Sequence, residues 1–336
     1  MKSQVSPKQL ARAIQVSESS VKRWCDQGRI DTFRTAGGHR RIPLTHVLRF
    51  LRDHSYELVR PEVLGLPASM GEKGSDLDHA CSRFRQALLN GDDTGAHSTI
   101  FELFIAHDDP TVLMDRVMAP ALHEIGDLWM VGAAQVYQER RACEICLRIL
   151  HELRQVIPPP NESAWLAIGG TPECDPYYVP NAMVDLTLRW AGWQTNPLGV
   201  ALPFETLRSA IEHTRPRLLW LSVSHIDDEE RFVREYERFY QATPAGVAIV
   251  VGGQALTEGV RQQMQYASFC DNLRHLETFA KSLASPAVNG KQVGGDREMP
   301  LGANVAKAKG DCPLTGRQRP DDCEDERSAE NHAPTR

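Results

Sequence analysis

The 336-residue chain contains no apolar run approaching the roughly 18 residues that a membrane-spanning helix needs. Its opening, "MKSQVSPKQLARAI", has no apolar core of the kind that marks a secretory leader. Its eight cysteines, at 25, 81, 143, 146, 174, 270, 312 and 323, are scattered. Without a leader, such cysteines read as reduced thiols and not as a disulfide framework. These absences predict a soluble, cytoplasmic protein with no membrane partner. No nucleophile–base motif is legible, so the chain reads as a non-enzyme with no catalytic residues.

Hydrophobic residues make up 41% of the chain, enough for real cores, and the length predicts two or three domains. The net charge of −6 is unevenly spread: residues 1–60 hold 12 Lys/Arg against 5 Asp/Glu. A basic head on an acidic body predicts a polyanionic partner for the head.

Residues 1–59 read as a small DNA-binding domain. Ser6-Pro7 opens one helix, because serine caps and proline suits the first helical position. Ser17 caps a second helix, "ESSVKRWCDQG", which Gly28 ends. Val21 and Trp24 point inward, leaving Ser19, Ser20, Lys22 and Arg23 outward, as in a helix-turn-helix. Ile30, Thr32 and Ile42 are strand-like, and Gly37-Gly38 permits a tight turn. The result is a hairpin wing carrying Arg34, His39, Arg40 and Arg41, followed by a third helix from Pro43-Leu44. The run "SVKRWCDQGRIDTFRTAGGHRRI" resembles the winged helix-turn-helix of MerR-type and excisionase-like regulators. The resemblance implies that the second helix enters the major groove of a double-stranded operator and that the wing arginines grip phosphate. One such domain reads only a short half-site, so a homo-oligomer, dimer or tetramer, is expected.

Residues 60–75 are rich in Pro, Gly, Ser and charge and read as a linker. Residues 76–158 carry helical periodicity in four segments, near 76–90, 93–107, 110–129 and 134–156, and predict a four-helix bundle. Cys143 and Cys146 form a CxxC on the last helix and read as core thiols. The stretch "LHEIGDLWMVGAAQVYQERRACEIC" resembles the bundle that caps cobalamin in methionine-synthase-like domains and in light-responsive CarH/LitR regulators. That pattern assigns Ile125, Gly126, Trp129, Gly132 and Glu139, with Arg140 standing where the family has histidine. Trp129 would offer a broad apolar face to a flat ligand.

From 162 to 286 strand-like and helical runs alternate, which predicts βαβ units and a flavodoxin-like, doubly wound parallel sheet. The fold class is thus multidomain: winged helix-turn-helix, four-helix bundle, then α/β domain. The last segment resembles a cobalamin-binding domain. By that resemblance Ser222, Ser224, Gly252 and Gly253 would line a channel for the cofactor's nucleotide tail. The family's D-x-H-x-x-G falls on Asp175 to Pro180. Asp175 is kept, Tyr177 replaces the cobalt-ligating histidine, and Pro180 replaces glycine. No metal ligand is therefore assigned.

Three readings of the pocket stand open. It holds cobalamin without a protein ligand, by shape and contacts to the tail, or another flat ligand such as haem, for which Tyr177, Cys174, His123 or His225 could serve, or nothing, the fold serving dimerisation. Cobalamin enzymes need a separate substrate domain, and no stretch is free to form one. The resemblance implies a light- or cobalamin-linked transcriptional regulator. Residues 287–336 lack apolar periodicity and read as a disordered tail.

Overall fold

Caps and turn residues set the boundaries of the first elements. The computed structural model describes residues 4–54, 56–66, 77–107 and 109–285. Strand β1 (Gln4–Val5) leads into α1 (Pro7–Ala13). The Gln9 N–H donates to Ser6 Oγ at 3.2 Å and the Ser6 N–H donates to Gln9 Oε1 at 2.8 Å, a reciprocal capping box. Helix α2 (Glu18–Asp26) starts at Ser17, whose Oγ accepts the Ser20 N–H at 3.0 Å. Val21 and Trp24 are buried on its inner face.

The wing is the hairpin of β2 (Phe33–Arg34) and β3 (Arg40–Pro43). Gly38 turns it at φ +76°, a left-handed conformation that costs glycine nothing. Strand β3 lies between β1 and β2, antiparallel to both. Ile30 is buried but precedes the hairpin, so the wing is shorter than the sequence pattern suggests. Helix α3 (Leu44–Asp53) closes the domain with Val47, Leu48 and Leu51 buried.

Residues 60–66, read as linker from composition, instead hold a 3-10 turn at Pro61–Leu64. The backbone N–H groups of Val59 and Arg60 donate to Ala13 O, and Leu64 is fully buried. Two buried leucines in "VLGL" outweigh the Pro/Gly content. The remainder of the predicted linker, and the tail, lie outside the described residues.

The bundle comprises α4 (Leu77–Asn90), α5 (Asp93–His107), α6 (Pro110–Leu113), α7 (Ala119–Met130) and α8 (Val136–Val156). A π-helical stretch, Met114–Met118, joins α6 to α7. The predicted third segment is thus one helix interrupted by a π-bulge. Apolar residues of the head, the bundle and the first helix of the α/β domain pack as one continuous core.

The α/β domain alternates β4 (Leu166–Pro172), α9 (Tyr178–Trp190), β5 (Gln194–Leu202), α10 (Phe204–Thr214), β6 (Leu218–Ser222), α11 (Glu229–Ala242), β7 (Ala248–Gly252), α12 (Glu258–Arg261), β8 (Ser268–Phe269) and α13 (Leu273–Ala284). All strands are parallel, in the order β5-β4-β6-β7-β8. Strand order reverses between β4 and β6, so the crevice for a ligand lies at the carboxyl ends of these two strands. One face of the sheet buries Leu207, Phe232, Tyr236 and Phe239 of α10 and α11. The other buries Leu188, Trp193, Trp220 and Leu276 under α9 and α13. The bundle meets this second flank through α8 on α9, while α3 of the head packs on α8.

Candidate functional site

The α2 face that sequence reading offers to DNA is exposed, but its groups are already organised. Ser19 Oγ and Ser20 Oγ each lie 2.8 Å from Ser17 Oγ, so both hydroxyls belong to the cap. Lys22 pairs with Glu18 at 2.9 Å, and that ammonium lowers the Glu18 carboxyl pKa. Arg23 projects freely to solvent.

On the wing, Gly37, Gly38 and His39 are exposed at the tip. Arg34 donates to Gly38 O at 3.3 Å and steadies the turn. Arg40 reaches back to α2, donating to Lys22 O at 3.2 Å and to Asp26 Oδ1 at 2.6 Å. Its guanidinium is a strut between wing and second helix, which the sequence reading of a phosphate grip did not include. The signal was present, since Asp26 is an acidic residue one turn after Lys22 and Arg23 on the same helix. Arg41, in register with Phe33, is half-buried beside it, and its side chain has no hydrogen-bond or ion-pair partner among the described residues.

At the sheet's switch point, Asp175 is fully buried and holds two loops together. Its Oδ2 accepts the N–H groups of Ser224 at 2.5 Å and His225 at 3.2 Å, and its Oδ1 accepts the Tyr177 N–H at 3.1 Å. Its backbone oxygen accepts the Thr171 hydroxyl at 2.5 Å. Burial raises the Asp175 carboxyl pKa, opposed by the three backbone donors. Tyr177 sits at the N-cap of α9, half-buried.

Of the positions expected to line a tail channel, Ser222 is buried, Ser224 and Gly252 are half-buried and Gly253 is exposed. Ser222 is buried and pairs in register with Gly252. A Cβ on Gly252 would lie 2.6 Å from Cys270 O, and one on Gly253, at φ +117°, 2.1 Å from Val223 O. Beneath them Trp220 is buried against Gly169, its Nε1 donating to Asn181 Oδ1 of α9 at 2.7 Å. The neighbouring cleft between Cys174, Phe204, Asp227 and Arg231 holds only about 20 Å³. In it His225 Nε2 meets Asp227 Oδ1 at 2.5 Å, and the Arg231 guanidinium lies 3.7 Å from Cys174 Sγ. A hydrogen bond to Asp227 raises the Cys174 thiol pKa, so it is not an activated nucleophile. Among the described residues no group of three or more His, Cys, Asp or Glu side chains could hold a metal ion.

The helical half differs. Trp129 is 47% exposed at the end of α7, with Met130, Val131, Val136 and Tyr137 also exposed around the α7–α8 turn. An adjoining open groove of about 510 Å³ is lined by Arg85, Leu89, Glu124 and Leu128, among others. Glu139 is engaged locally, accepting from Cys143 Sγ at 3.4 Å and pairing with Arg140 at 3.4 Å. Among the described residues no hydrogen bond or ion pair joins Glu139 to Asp175, Tyr177, Ser222 or Ser224. The structure thus assembles the strand-edge residues with one another and leaves the bundle residues as a separate face.

Comparison with known proteins follows this division. Residues 5–55 match the family described as a helix-turn-helix domain, and residues 80–154 the family described as a B12 binding domain. The HTH-type transcriptional repressor CarH of Myxococcus xanthus is 28% identical over 200 residues. That match covers 57% of this chain and 65% of the relative, so the chain spans just under two thirds of the relative's length. The monomethylamine corrinoid protein of Methanosarcina barkeri shares the fold at a TM-score of 0.54 and 16% identity, over 62% of this chain and 100% of its own. Across these segments the chain is similar to a helix-turn-helix regulator carrying a B12-binding module.

Proposed function

We propose that the chain is a DNA-binding transcriptional regulator whose bundle and α/β domain form a cobalamin-type sensing module, acting on its operator as a homo-oligomer. The observation that carries this reading is the exposed basic face of α2 and the wing, joined in one chain to a segment that matches a B12 binding domain. Exposed Arg34 and His39 beside a Gly-Gly tip, with Lys22 and Arg23 on α2, suit adjacent phosphates, and short outward side chains on α2 leave the helix free to approach base edges. The relative named a repressor supports a regulatory role and not a catalytic one.

The two halves of the module fit cobalamin differently. The exposed Trp129–Val131 face fits a flat macrocycle, which an indole ring can cover at low entropic cost. The strand edge does not fit the family's mode of holding it. Tyr177 brings a phenol where an imidazole would ligate cobalt, and a phenol is a poor ligand for such an ion unless ionised. Ser222 is buried, and a side chain at Gly252 or Gly253 would meet the backbone of Cys270 or Val223. Cobalamin would therefore be held by face contacts of the bundle without a protein ligand to cobalt.

Co-elution of adenosylcobalamin or haem with the full chain on gel filtration, read by absorbance, tests the module. Cobalamin bands in the protein peak support this reading. Haem bands alone replace the ligand, and a colourless peak removes the sensing claim. Tyr177→His is expected to add a cobalt–imidazole spectral shift to any bound cobalamin. A spectrum identical to wild type would place the cofactor away from this loop.

A further inference from the structure

Three parts of the chain meet at one cluster of charge that neither the DNA face nor the ligand loop uses. Arg49 on α3 of the head donates Nε to Val156 O at 3.2 Å and Nη2 to Gln155 O. These carbonyls end α8, where no further turn supplies donors and the helix dipole favours a cation. One residue earlier on α8, Arg154 donates Nε to Asp185 Oδ2 of α9 at 2.9 Å. Asp185 is buried, and its Oδ1 has no hydrogen-bond partner among the described residues.

One turn further along α9, Arg189 places its Nε in a buried position, also without a hydrogen-bond partner among the described residues. Burial first, then Arg154 and Arg49, lowers the Arg189 pKa, while Asp185 opposes them. Three guanidiniums from three domains therefore come near one another, and Arg154 among them bonds the Asp185 carboxylate. The arrangement is stable only while all three helices keep their places, because moving Asp185 exposes like charges to one another at low solvent screening.

Helix α9 gives this cluster a second connection. It begins at Tyr177, where the backbone N–H is held by Asp175 in the switch-point loop, and reaches Asp185 two turns later. A displacement of that loop, by ligand or by chemistry, moves the N-terminus of a rigid helix whose other end carries Asp185 and Arg189.

We propose that Arg49, Arg154, Asp185 and Arg189 form a latch that docks the DNA-binding head on the sensing module and transmits the position of α9 to α3. As a route for regulation it rests on the DNA-binding reading above; as a docking latch it does not. Asp185 is its keystone, because its carboxylate bonds Arg154 and opposes the like charges acting on Arg189. The direct contact to the head is Arg49 on the end of α8.

The test uses the full chain and its Asp185→Asn, Arg49→Ala and doubly substituted forms, with Arg49→Lys as a milder control. Hydrogen exchange is followed in α3 and in the last turn of α8, alongside affinity for a random-sequence DNA duplex at low salt. Each single substitution is expected to speed exchange at both places several-fold and to change DNA affinity in the same direction. The double form should add little, as coupled sites do. Arg49→Lys, keeping charge but losing the two-carbonyl geometry, should fall between. Exchange unchanged in α3 when Asp185 is substituted, or fully additive effects, would overturn the latch. If the wild type does not bind DNA, the DNA-binding reading fails, and the exchange data still decide whether the head is latched.

Discussion

Asp175 shows how one side chain can outlast the chemistry around it. In the related motif an aspartate precedes a histidine, and here the histidine is absent while the carboxylate accepts three backbone N–H groups from two loops. Hydrogen bonds to a buried charge contribute about 1.5–3 kcal/mol each. Asp175→Ala is accordingly expected to cost at least ~3 kcal/mol in denaturant unfolding, since it strands three buried donors. Asp175→Asn should cost less, because one amide oxygen still accepts. A near-neutral Asp175→Ala would mean that the loops are held by other contacts.

Arg40 and Arg41 are adjacent but differently placed. Arg41→Ala is expected to lower affinity for all duplex sequences and to reduce the salt dependence of binding by about one phosphate contact. Arg40→Ala should instead loosen the wing from α2, lowering stability as well as affinity. Identical salt slopes for wild type and Arg41→Ala would remove Arg41 from the phosphate contacts. The sequence allowed both arginines to be assigned to the wing. It could not separate them, because Asp26 and Lys22 O meet Arg40 only after the hairpin folds back.

At the scale of elements, periodicity and capping residues made most of the architecture legible. The head's three helices, the bundle's four segments and the βαβ alternation all follow from Ser caps, glycine turns and a change of apolar period. Strand β1 was not legible, since two residues carry no period and Gln4–Val5 gains its role only by pairing with Ile42–Pro43. Nor was the π-bulge at Met114–Met118, whose apolar spacing reads as ordinary helix. The CxxC of α8 was read as core, and both thiols lie against the bundle interior. Burial, then Glu139, pushes the Cys143 thiol up to about 12. At pH 8 its thiolate fraction is then on the order of one part in ten thousand. Cys143 is expected to resist a thiol reagent in the native chain and to react on unfolding. Rapid native labelling at Cys143 would show an open bundle.

For the whole molecule, charge and packing point in one direction. A head with a local excess of seven positive charges sits on a body that is strongly negative, and both share one apolar core. The head is therefore not a bead on a string, and in the proposed latch its freedom to meet DNA depends on how α3 leaves α8. The strand-edge site was legible as a place but not as a tight backbone crossing. Residue types such as Ser222, Gly252 and Gly253 suit an open channel or a tight backbone crossing equally. Only the close approach to Cys270 O and Val223 O decides between them.

The central claim is that this chain grips duplex DNA through its basic head. Its most direct test is the affinity of the full chain for a duplex as salt is raised, read by fluorescence anisotropy. The account predicts measurable binding at low salt that falls steeply and linearly with the logarithm of salt concentration, as release of several counterions requires. Absence of binding at low salt, or an affinity indifferent to salt, would contradict it.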